Sequence, residues 1–257
     1  MSHSPALQAA LDAAKAAGEI IKAAYRTQVQ VEIKADSSPV TEVDIACEQR
    51  IREILNAACP GFGFYGEETG QSDMDAEHVW LVDPLDGTKS FVRGYPFIST
   101  QIALMRGDAL VLGVSSAPLF EEVAWAESGQ GAYLNGERLK VSQVDSWAEA
   151  TLSTGNIASL AQDERRWRAY GELVPKLHRI RGYGDFYHYH LLSAGRIDAV
   201  LESDLNILDI AANTVILREA GGIVTDLEGA EVGLQTRSTV AGNALLQPRL
   251  LEMMNSA

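Results

Sequence analysis

The sequence predicts an α/β protein of the α+β type, in which helices pack on mixed β-sheets. Helical periodicity marks residues 5–26 and 43–58. A run of short strands follows over residues 97–141 and does not alternate with helices as a dinucleotide-binding fold would. From residue 151 helices and strands alternate again. These three observations indicate sheets of mixed direction covered by helices.

Two helices and a strand open the chain. Apolar residues recur on one stripe of residues 5–26, which predicts an amphipathic helix. A short strand over residues 29–34 and a loop over residues 35–39 precede the second helix. That helix covers residues 43–58 and should end at Pro60-Gly61.

The middle of the chain reads as a strand meander. Asn135-Gly136 is a strong hairpin signal, and the polar residues 71–77 indicate a surface loop. The predicted strands cover residues 62–65, 78–82, 97–105, 109–116, 122–126, 132–134 and 138–141.

The last third predicts a second lobe. We expect residues 1–150 to form an N-terminal α+β lobe and residues 151–257 a C-terminal α/β lobe. Predicted helices cover residues 163–173, 186–193, 209–220 and 247–254, and predicted strands cover residues 178–181, 197–202, 223–226 and 238–241.

Composition limits the partners. The 257 residues carry a formal net charge of −14, which would repel a nucleic-acid backbone, so we expect no nucleic-acid partner. Bound cations would still let an acidic protein take an anionic ligand. Cys47 and Cys59 form no motif and suit a reducing compartment. The sequence begins without a signal-peptide pattern, and no apolar run reaches the ~18 residues of a membrane span, so we expect a cytoplasmic protein with no membrane partner.

The stretch WLVDPLDGTKSF at residues 80–91 is the most informative one. A buried strand should end at Pro84, which lacks an N–H, and the next turn holds Asp83, Asp86 and Thr88. Carboxylates in a turn can hold hard divalent cations, and the N–H groups that open a helix can hold an anion. Asp and Gly are also common in turns of no special function. The spacing, with Glu67 upstream and Asp209 downstream, favours a site where a metal meets a phosphate.

Three spaced motifs resemble the inositol monophosphatase family of metal-dependent phosphomonoesterases. They are Gly66-Glu67-Glu68, the sequence DPLDGT at residues 83–88, and DIAA at residues 209–212 followed by EAGG at residues 219–222. Within the family the likeness is greatest to bacterial histidinol-phosphate phosphatases. It depends on residues 86–94, Ser116-Ala117-Pro118 and Gly184-Asp185-Phe186.

The resemblance implies a layered α-β-α-β-α fold of the sugar phosphatase type, with the site where the lobes meet. The N-terminal lobe would carry most of the metal ligands. The resemblance also implies a Mg²⁺-dependent phosphomonoesterase with two or three ions per site. Its substrate would be a small phosphorylated metabolite, and the protein would be a homodimer. The implied metal ligands are Glu67, Asp83, the carbonyl of Leu85, Asp86 and Asp209, with Glu68 in a supporting role.

Asp209 has a second interpretation. It lies at the start of a predicted helix, where a carboxylate can serve as an N-cap only. The match to the family's downstream metal aspartate favours the metal role. Leu208 replaces the family's usual Trp and Asn213 its usual Gly, which puts the shape of the pocket in doubt.

Catalysis is expected at Thr88, Asp44 and Glu67. By resemblance the Thr88 hydroxyl contacts the attacking water and Asp44 accepts its proton. Thr41 and Asp44 also form a variant of the helix capping box, and one carboxylate should not easily serve both roles.

The substrate site is expected at Asp86, Gly87, Thr88, Asp185, Glu202 and Asp209. By resemblance, Asp185 and Glu202 lie near the leaving group of the substrate. Two acids there would favour a cationic group, and this favours L-histidinol phosphate over inositol 1-phosphate or a 3′,5′-bisphosphate nucleotide. The alternative is that Asp185 only caps its helix and Glu202 is structural. His188 and His190 should serve packing or the pocket rather than metal binding. An inactive phosphate- or partner-binding protein is a remote alternative, because all four metal carboxylates are present.

Overall fold

The computed structural model describes residues 3–28, 30–33 and 39–256. The predicted loop over residues 35–39 therefore lies outside the described residues except for Pro39, and so do Val29 and Lys34 of the first predicted strand. Within the described residues seven α-helices form: α1 (Pro5–Ala24), α2 (Glu42–Ala58), α3 (Thr88–Val92), α4 (Glu164–Leu173), α5 (Asp185–Ser193), α6 (Ile207–Glu219) and α7 (Gln247–Asn255).

The strands of the same residues form one short ribbon and two larger sheets. They are β1 (Val31–Ile33), β2 (Pro39–Thr41), β3 (Gly63–Gly66), β4 (Gly70–Ser72), β5 (His78–Asp86), β6 (Ser99–Arg106), β7 (Ala109–Ala117), β8 (Glu122–Glu127), β9 (Ala132–Leu134), β10 (Glu137–Arg138), β11 (Thr151–Gly155), β12 (Arg179–Arg181), β13 (Ala199–Ser203), β14 (Gly222–Thr225) and β15 (Ser238–Asn243).

The larger sheet has the strand order β10-β9-β8-β7-β6-β5-β3-β4. It confirms the predicted meander, and the hairpin turns at Asn135-Gly136 with positive φ angles of 50° and 87°. The predicted surface loop at residues 71–77 is wrong in part, because β4 pairs with β3 there. The strand predicted over residues 138–141 is shorter, since β10 ends at Arg138.

The smaller sheet has the order β12-β11-β13-β15-β14. β11 is parallel to both of its neighbours, whereas β15 is antiparallel to β13 and to β14. Helices connect the parallel strands, as the alternation after residue 151 predicted.

Five layers pack around three apolar cores, of which the second spans both faces of the middle helices, and this confirms the α-β-α-β-α order. The first core lies between α1 and α2 and the larger sheet, where the fully buried Ala10, Ala13 and Ala17 allow close approach. The second lies where α5 and α6 pack between the two sheets. The third lies between the smaller sheet and the outer helices α4 and α7.

α6 is apolar on almost every side because sheets cover it on both faces. Its N-terminal end lies beside the carboxyl end of β5, since Asp209 approaches Asp83 and Asp86 there. The middle layer thus brings residues of both sheets to one place. Among the helices that the structure describes, none has both the length and the apolar composition needed to cross a membrane.

Candidate metal centre

A β-bulge at the end of β5 keeps two aspartates on one side of the sheet. Asp83 pairs with Gln101 and Asp86 with Ser99, so three steps on β5 oppose two on β6. Side chains change face at each step of a regular strand, so the extra residue returns Asp86 to the face of Asp83. The prediction that the strand ends at Pro84 is wrong. β5 continues to Asp86, and only its ladder is interrupted, because proline has no N–H to donate.

Three carboxylates meet at this bulge. Asp83, Asp86 and Asp209 offer oxygens that all lie within 4.8 Å of one another. Asp83 and Asp86 are buried, and Glu67 lies within hydrogen-bond reach of Asp83. The four carboxylates that the sequence singled out as metal ligands therefore come together.

The electrostatics of this cluster fit a bound cation. Burial and then the charge of Glu67 raise the pKa of Asp83 well above its usual value. Burial and then the charge of Asp185 do the same for the pKa of Asp86, and burial raises the pKa of Asp209 to about 6. A divalent cation would offset this mutual repulsion, and the all-oxygen donor set suits Mg²⁺. Among the described residues, no His or Cys joins the group.

The backbone after the bulge is tightly shaped. The N–H of Leu85 donates to Asp83 Oδ1 over 3.0 Å, and the Leu85 carbonyl oxygen lies 3.1 Å from Thr88 Oγ1. Gly87 has φ 90°, and a Cβ there would lie 2.4 Å from the Phe97 carbonyl oxygen. Only glycine fits such a position. The first hydrogen bonds of α3 come from later N–H groups, so those of Gly87 and Thr88 precede the helical ladder.

Asp44 serves two partners at once, contrary to the predicted conflict. Its Oδ2 accepts from Thr41 N over 2.8 Å and from Thr41 Oγ1 over 2.5 Å, which completes the capping box of α2. Its Oδ1 accepts from Thr88 Oγ1 over 2.9 Å. A carboxylate has two oxygens, so capping one helix and facing the site are compatible. Burial raises the pKa of Asp44.

Asp209 repeats this arrangement on α6. The helix begins at Ile207 and Asn206 is its N-cap, so the prediction that Asp209 opens the helix is wrong by two residues. Asp209 Oδ2 accepts from Asn206 N over 2.8 Å in a second capping box, while the side chain also lies within hydrogen-bond reach of Asp83. The cap and the acid cluster use the same side chain.

A buried glutamate that the sequence did not single out shapes the turn of Glu67. Glu48 of α2 is fully buried and accepts from the N–H groups of Glu68 and Thr69, each over 2.8 Å. A Cβ at Gly66 would lie 2.5 Å from the Glu48 carboxyl carbon, which explains the glycine. Helical periodicity alone could not find Glu48, because its partners lie 20 and 21 residues further along the chain and become neighbours only in the fold.

Glu48→Gln tests this support. One side-chain oxygen becomes an NH₂ group that cannot accept from the turn, so a buried N–H loses its partner, at a cost of about 2 kcal/mol of unfolding free energy. The turn should shift Glu67 and weaken Mg²⁺ binding about 10-fold, as loss of a partner of a ligand does elsewhere. Thermal melting and Mg²⁺ titration measure both. Glu53→Gln, an exposed change on the same helix, should match wild type in both measurements.

A second acidic pair lies beside the metal cluster. Asp185 and Glu202 line one cleft with Asp86, Asp209 and Tyr189. Gly184, not Asp185, is the N-cap of α5, and no side-chain hydrogen bond caps that helix. The alternative that Asp185 only caps its helix is therefore wrong. Burial and then the charge of Glu202 raise the pKa of Asp185.

Two residues of α5 form hydrogen bonds with Glu202. His188 Nε2 and Tyr189 Oη both lie 3.0 Å from Glu202 Oε2. His188 and His190 are both buried, as the packing interpretation predicted, and His188 supports the cleft through Glu202. Leu208 and Asn213, the two departures from the family pattern, are also buried, and neither is among the described residues that line the cleft.

Comparison with known proteins agrees with this geometry. Residues 2–257 match the inositol monophosphatase family. The chain is 37% identical to a histidinol-phosphatase of Mycobacterium tuberculosis over 100% of both chains, and 36% identical to an inositol-1-monophosphatase of Caulobacter vibrioides over 90% of this chain and 93% of that one. The solved structure of the extragenic suppressor protein suhB from Bartonella henselae superposes with a TM-score of 0.90 at 31% identity, covering 99% of this chain and 100% of that chain. With its sequence motifs, layer order and acid cluster in agreement, the chain belongs to the inositol monophosphatase family and is a phosphatase.

Proposed function

We propose that this phosphatase is Mg²⁺-dependent and hydrolyses L-histidinol phosphate. The observation that carries the substrate proposal is the pair of acids, the partly buried Asp185 and the buried Glu202, in the same cleft as the metal cluster. A leaving group with an ammonium and an imidazole would meet two carboxylates there. A neutral polyol would place no positive charge opposite Asp185.

Glu67, Asp83, Asp86, Asp209 and the Leu85 carbonyl would hold two or three Mg²⁺ ions. The mutual repulsion of the buried carboxylates supports this assignment. When bound, the ions would neutralise the phosphoryl oxygens and lower the pKa of the attacking water.

The Thr88 hydroxyl would contact that water, and Asp44 would accept its proton. The Thr88 hydroxyl donates to Asp44 Oδ1 and can accept from a water at the same time. Because burial raises the pKa of Asp44, this carboxylate is a stronger base than an exposed aspartate. Glu67 would assist from the other side of the cluster.

The N–H groups of Gly87 and Thr88 would donate to the phosphate, since they precede the hydrogen-bond ladder of α3. The homodimer stays a prediction from the resemblance.

Inositol 1-phosphate is the second candidate. The Caulobacter relative named as an inositol-1-monophosphatase is about as similar to this chain as the Mycobacterium relative is. A small residue in place of Asp185 would favour it, and the aspartate favours the cationic substrate instead.

The test compares kcat/KM for histidinol phosphate, inositol 1-phosphate and 3′,5′-bisphosphoadenosine. Asp185 has φ 47°, so Asp185→Asn tolerates the backbone better than Asp185→Ala and removes only the charge. We expect histidinol phosphate to be preferred, and Asp185→Asn to lower that preference about 10-fold or more, the worth of one hydrogen bond to a charged group.

Glu172→Gln is the matched control, because it removes one exposed charge from the same lobe. It should keep the wild-type preference. A wild-type enzyme that prefers inositol 1-phosphate, or an Asp185→Asn variant that keeps the preference for histidinol phosphate, would rule out the charge-based proposal.

A further inference from the structure

A buried chain of hydrogen bonds runs from Asp86 at the end of β5 across β6 and β7 to Glu122 at the start of β8. Ser99 Oγ donates to Asp86 Oδ2 over 2.8 Å, and Gln101 Nε2 donates to Ser99 Oγ over 2.7 Å. Gln101 Nε2 also donates to Ser115 Oγ over 3.0 Å. His190 Nε2 lies 2.8 Å from Ser115 Oγ, and His190 Nδ1 lies 3.0 Å from Glu122 Oε2. We call these six residues the Asp86 chain.

The interior of the Asp86 chain is closed to water. Ser99, Gln101 and Ser115 are fully buried, and His190 is 2% exposed. Glu122 at the outer end is the member nearest solvent, with 18% of its side chain exposed. Each buried proton must therefore go to a neighbour in the chain, because a missing partner there is costly.

Counting protons gives the chain one direction. Glu122 is held ionised, since the hydrogen bond from His190 lowers its pKa, and so it can only accept. A neutral His190 then carries its proton on Nδ1 and accepts at Nε2. The only proton of Ser115 goes to that Nε2, which leaves the Ser115 oxygen to accept from Gln101. Both NH₂ protons of Gln101 are then used by the two serines, and Ser99 has its own proton free for Asp86.

The other end of the Gln101 amide favours the same direction. Asn213 Nδ2 lies 3.3 Å from Gln101 Oε1 and 3.4 Å from the Asp209 carbonyl oxygen. If the Gln101 amide turned over, its NH₂ group would face the NH₂ group of Asn213. Gln101 thus joins β6 to α6, and through them the two elements that carry Asp86 and Asp209.

We propose that Glu122 and His190 are positioning residues that act on the metal site through the Asp86 chain. They ensure that Ser99 donates to Asp86, which keeps that carboxylate oriented for a cation. The inference rests on the proposed role of Asp86 as a metal ligand. The general basis is that hydrogen-bond partners of a ligand orient it and tune its affinity.

Glu122→Gln should allow the hydrogen bonds of the Asp86 chain to reverse their direction. A glutamine at position 122 can donate as well as accept, so His190 could then carry its proton on Nε2. Ser115 would accept from His190 and donate to Gln101, whose carbonyl would turn toward the serines and give up its long contact with Asn213. Ser99 would then donate to Gln101, and Asp86 would lose its donor.

The test is Mg²⁺ binding to the EDTA-stripped full-length protein, measured by calorimetry for Glu122→Gln, Ser99→Ala and the double variant. Ser99→Ala should weaken Mg²⁺ binding about 10-fold, as loss of such a partner does elsewhere. Glu122→Gln alone should weaken it by a smaller, measurable factor. In the double variant Glu122→Gln should have no further effect, because the chain no longer reaches Asp86.

Glu137→Gln is the matched control. Glu137 is exposed and lines the same surface groove as Glu122, so the variant changes the same charge without touching the chain. It should bind Mg²⁺ as wild type does. Melting in EDTA shows whether each variant is folded.

Two results would overturn the inference. One is a Glu122→Gln variant that binds Mg²⁺ like Glu137→Gln. The other is a double variant in which the two fold-losses of Mg²⁺ affinity multiply. That result would mean that the two substitutions act independently, because the free-energy changes of independent sites add. Asp86→Asn separates the inference from its premise: if that variant keeps wild-type Mg²⁺ affinity, the metal assignment of Asp86 itself is wrong.

Discussion

Asp83→Asn is expected to lower kcat at least about 10²- to 10³-fold, the usual effect of removing one electrostatic contact from a reacting centre. Asp83 is the most buried of the clustered acids and lies within reach of both Glu67 and Asp209. The substitution removes one negative charge from the place where cations would bind. Release of phosphate in the presence of Mg²⁺ measures the effect.

The fold should survive this change. The asparagine Oδ1 can still accept from the Leu85 N–H, and losing a charge relieves repulsion among buried carboxylates. The EDTA-treated variant should therefore melt no lower than EDTA-treated wild type. Asp108→Asn, on the exposed turn between β6 and β7, is the matched control and should be fully active. Normal turnover by Asp83→Asn in Mg²⁺ would contradict the site assignment.

Removing the metal should make stability fall as pH rises. Burial raises the pKa of Asp83, Asp86 and Asp209 in the folded protein, to about 6 for Asp209, whereas an unfolded Asp titrates at 3.8. The folded state then binds more protons than the unfolded state in this range. For Asp209 the stability from the bound proton is complete below pH 3.8 and is lost as the pH rises through about 6. For Asp209 alone the loss is on the order of 3 kcal/mol.

Bound Mg²⁺ should cancel this loss, because a cation stabilises the ionised carboxylates and binds only the folded state. We expect melting curves in EDTA and in Mg²⁺ to be close near pH 4 and to separate as the pH approaches 7. Comparing the two curves at each pH removes the contribution of carboxyl groups elsewhere. A separation that stays constant over this range would mean that the clustered acids do not titrate as proposed. Asp108→Asn should show the wild-type separation at every pH.

The sequence predicted the acid cluster well, for a physical reason. Asp83 and Asp86 follow a buried apolar strand, and the end of such a strand is where side chains can reach a cleft. Asp209 could be joined to them only through the resemblance, because no local pattern says that the start of α6 meets the end of β5.

What the sequence could not predict depends on contacts between distant segments. Glu48 reads as an ordinary helical acid until the turn after Gly66 is placed against it. The Asp86 chain joins residues of β5, β6, β7, β8 and α5 that lie far apart in the chain. The sequence predicted a conflict between helix capping and catalysis at Asp44. The pattern gave the position of the carboxylate but not the separate partners of its two oxygens.

The bulge in β5 explains why two residues, Pro84 and Leu85, separate the aspartates of the DPLDGT motif. Two aspartates on one face of a strand need only one residue between them, because alternate residues share a face. The second intervening residue adds no carboxylate. It takes the Leu85 carbonyl out of the ladder and turns it toward Thr88, while the Leu85 side chain packs in the apolar core under α1 and α2. One residue thus belongs to the core through its side chain and to the site through its backbone. Its side chain can change with the packing of the core across evolution, and the oxygen that it offers will stay the same.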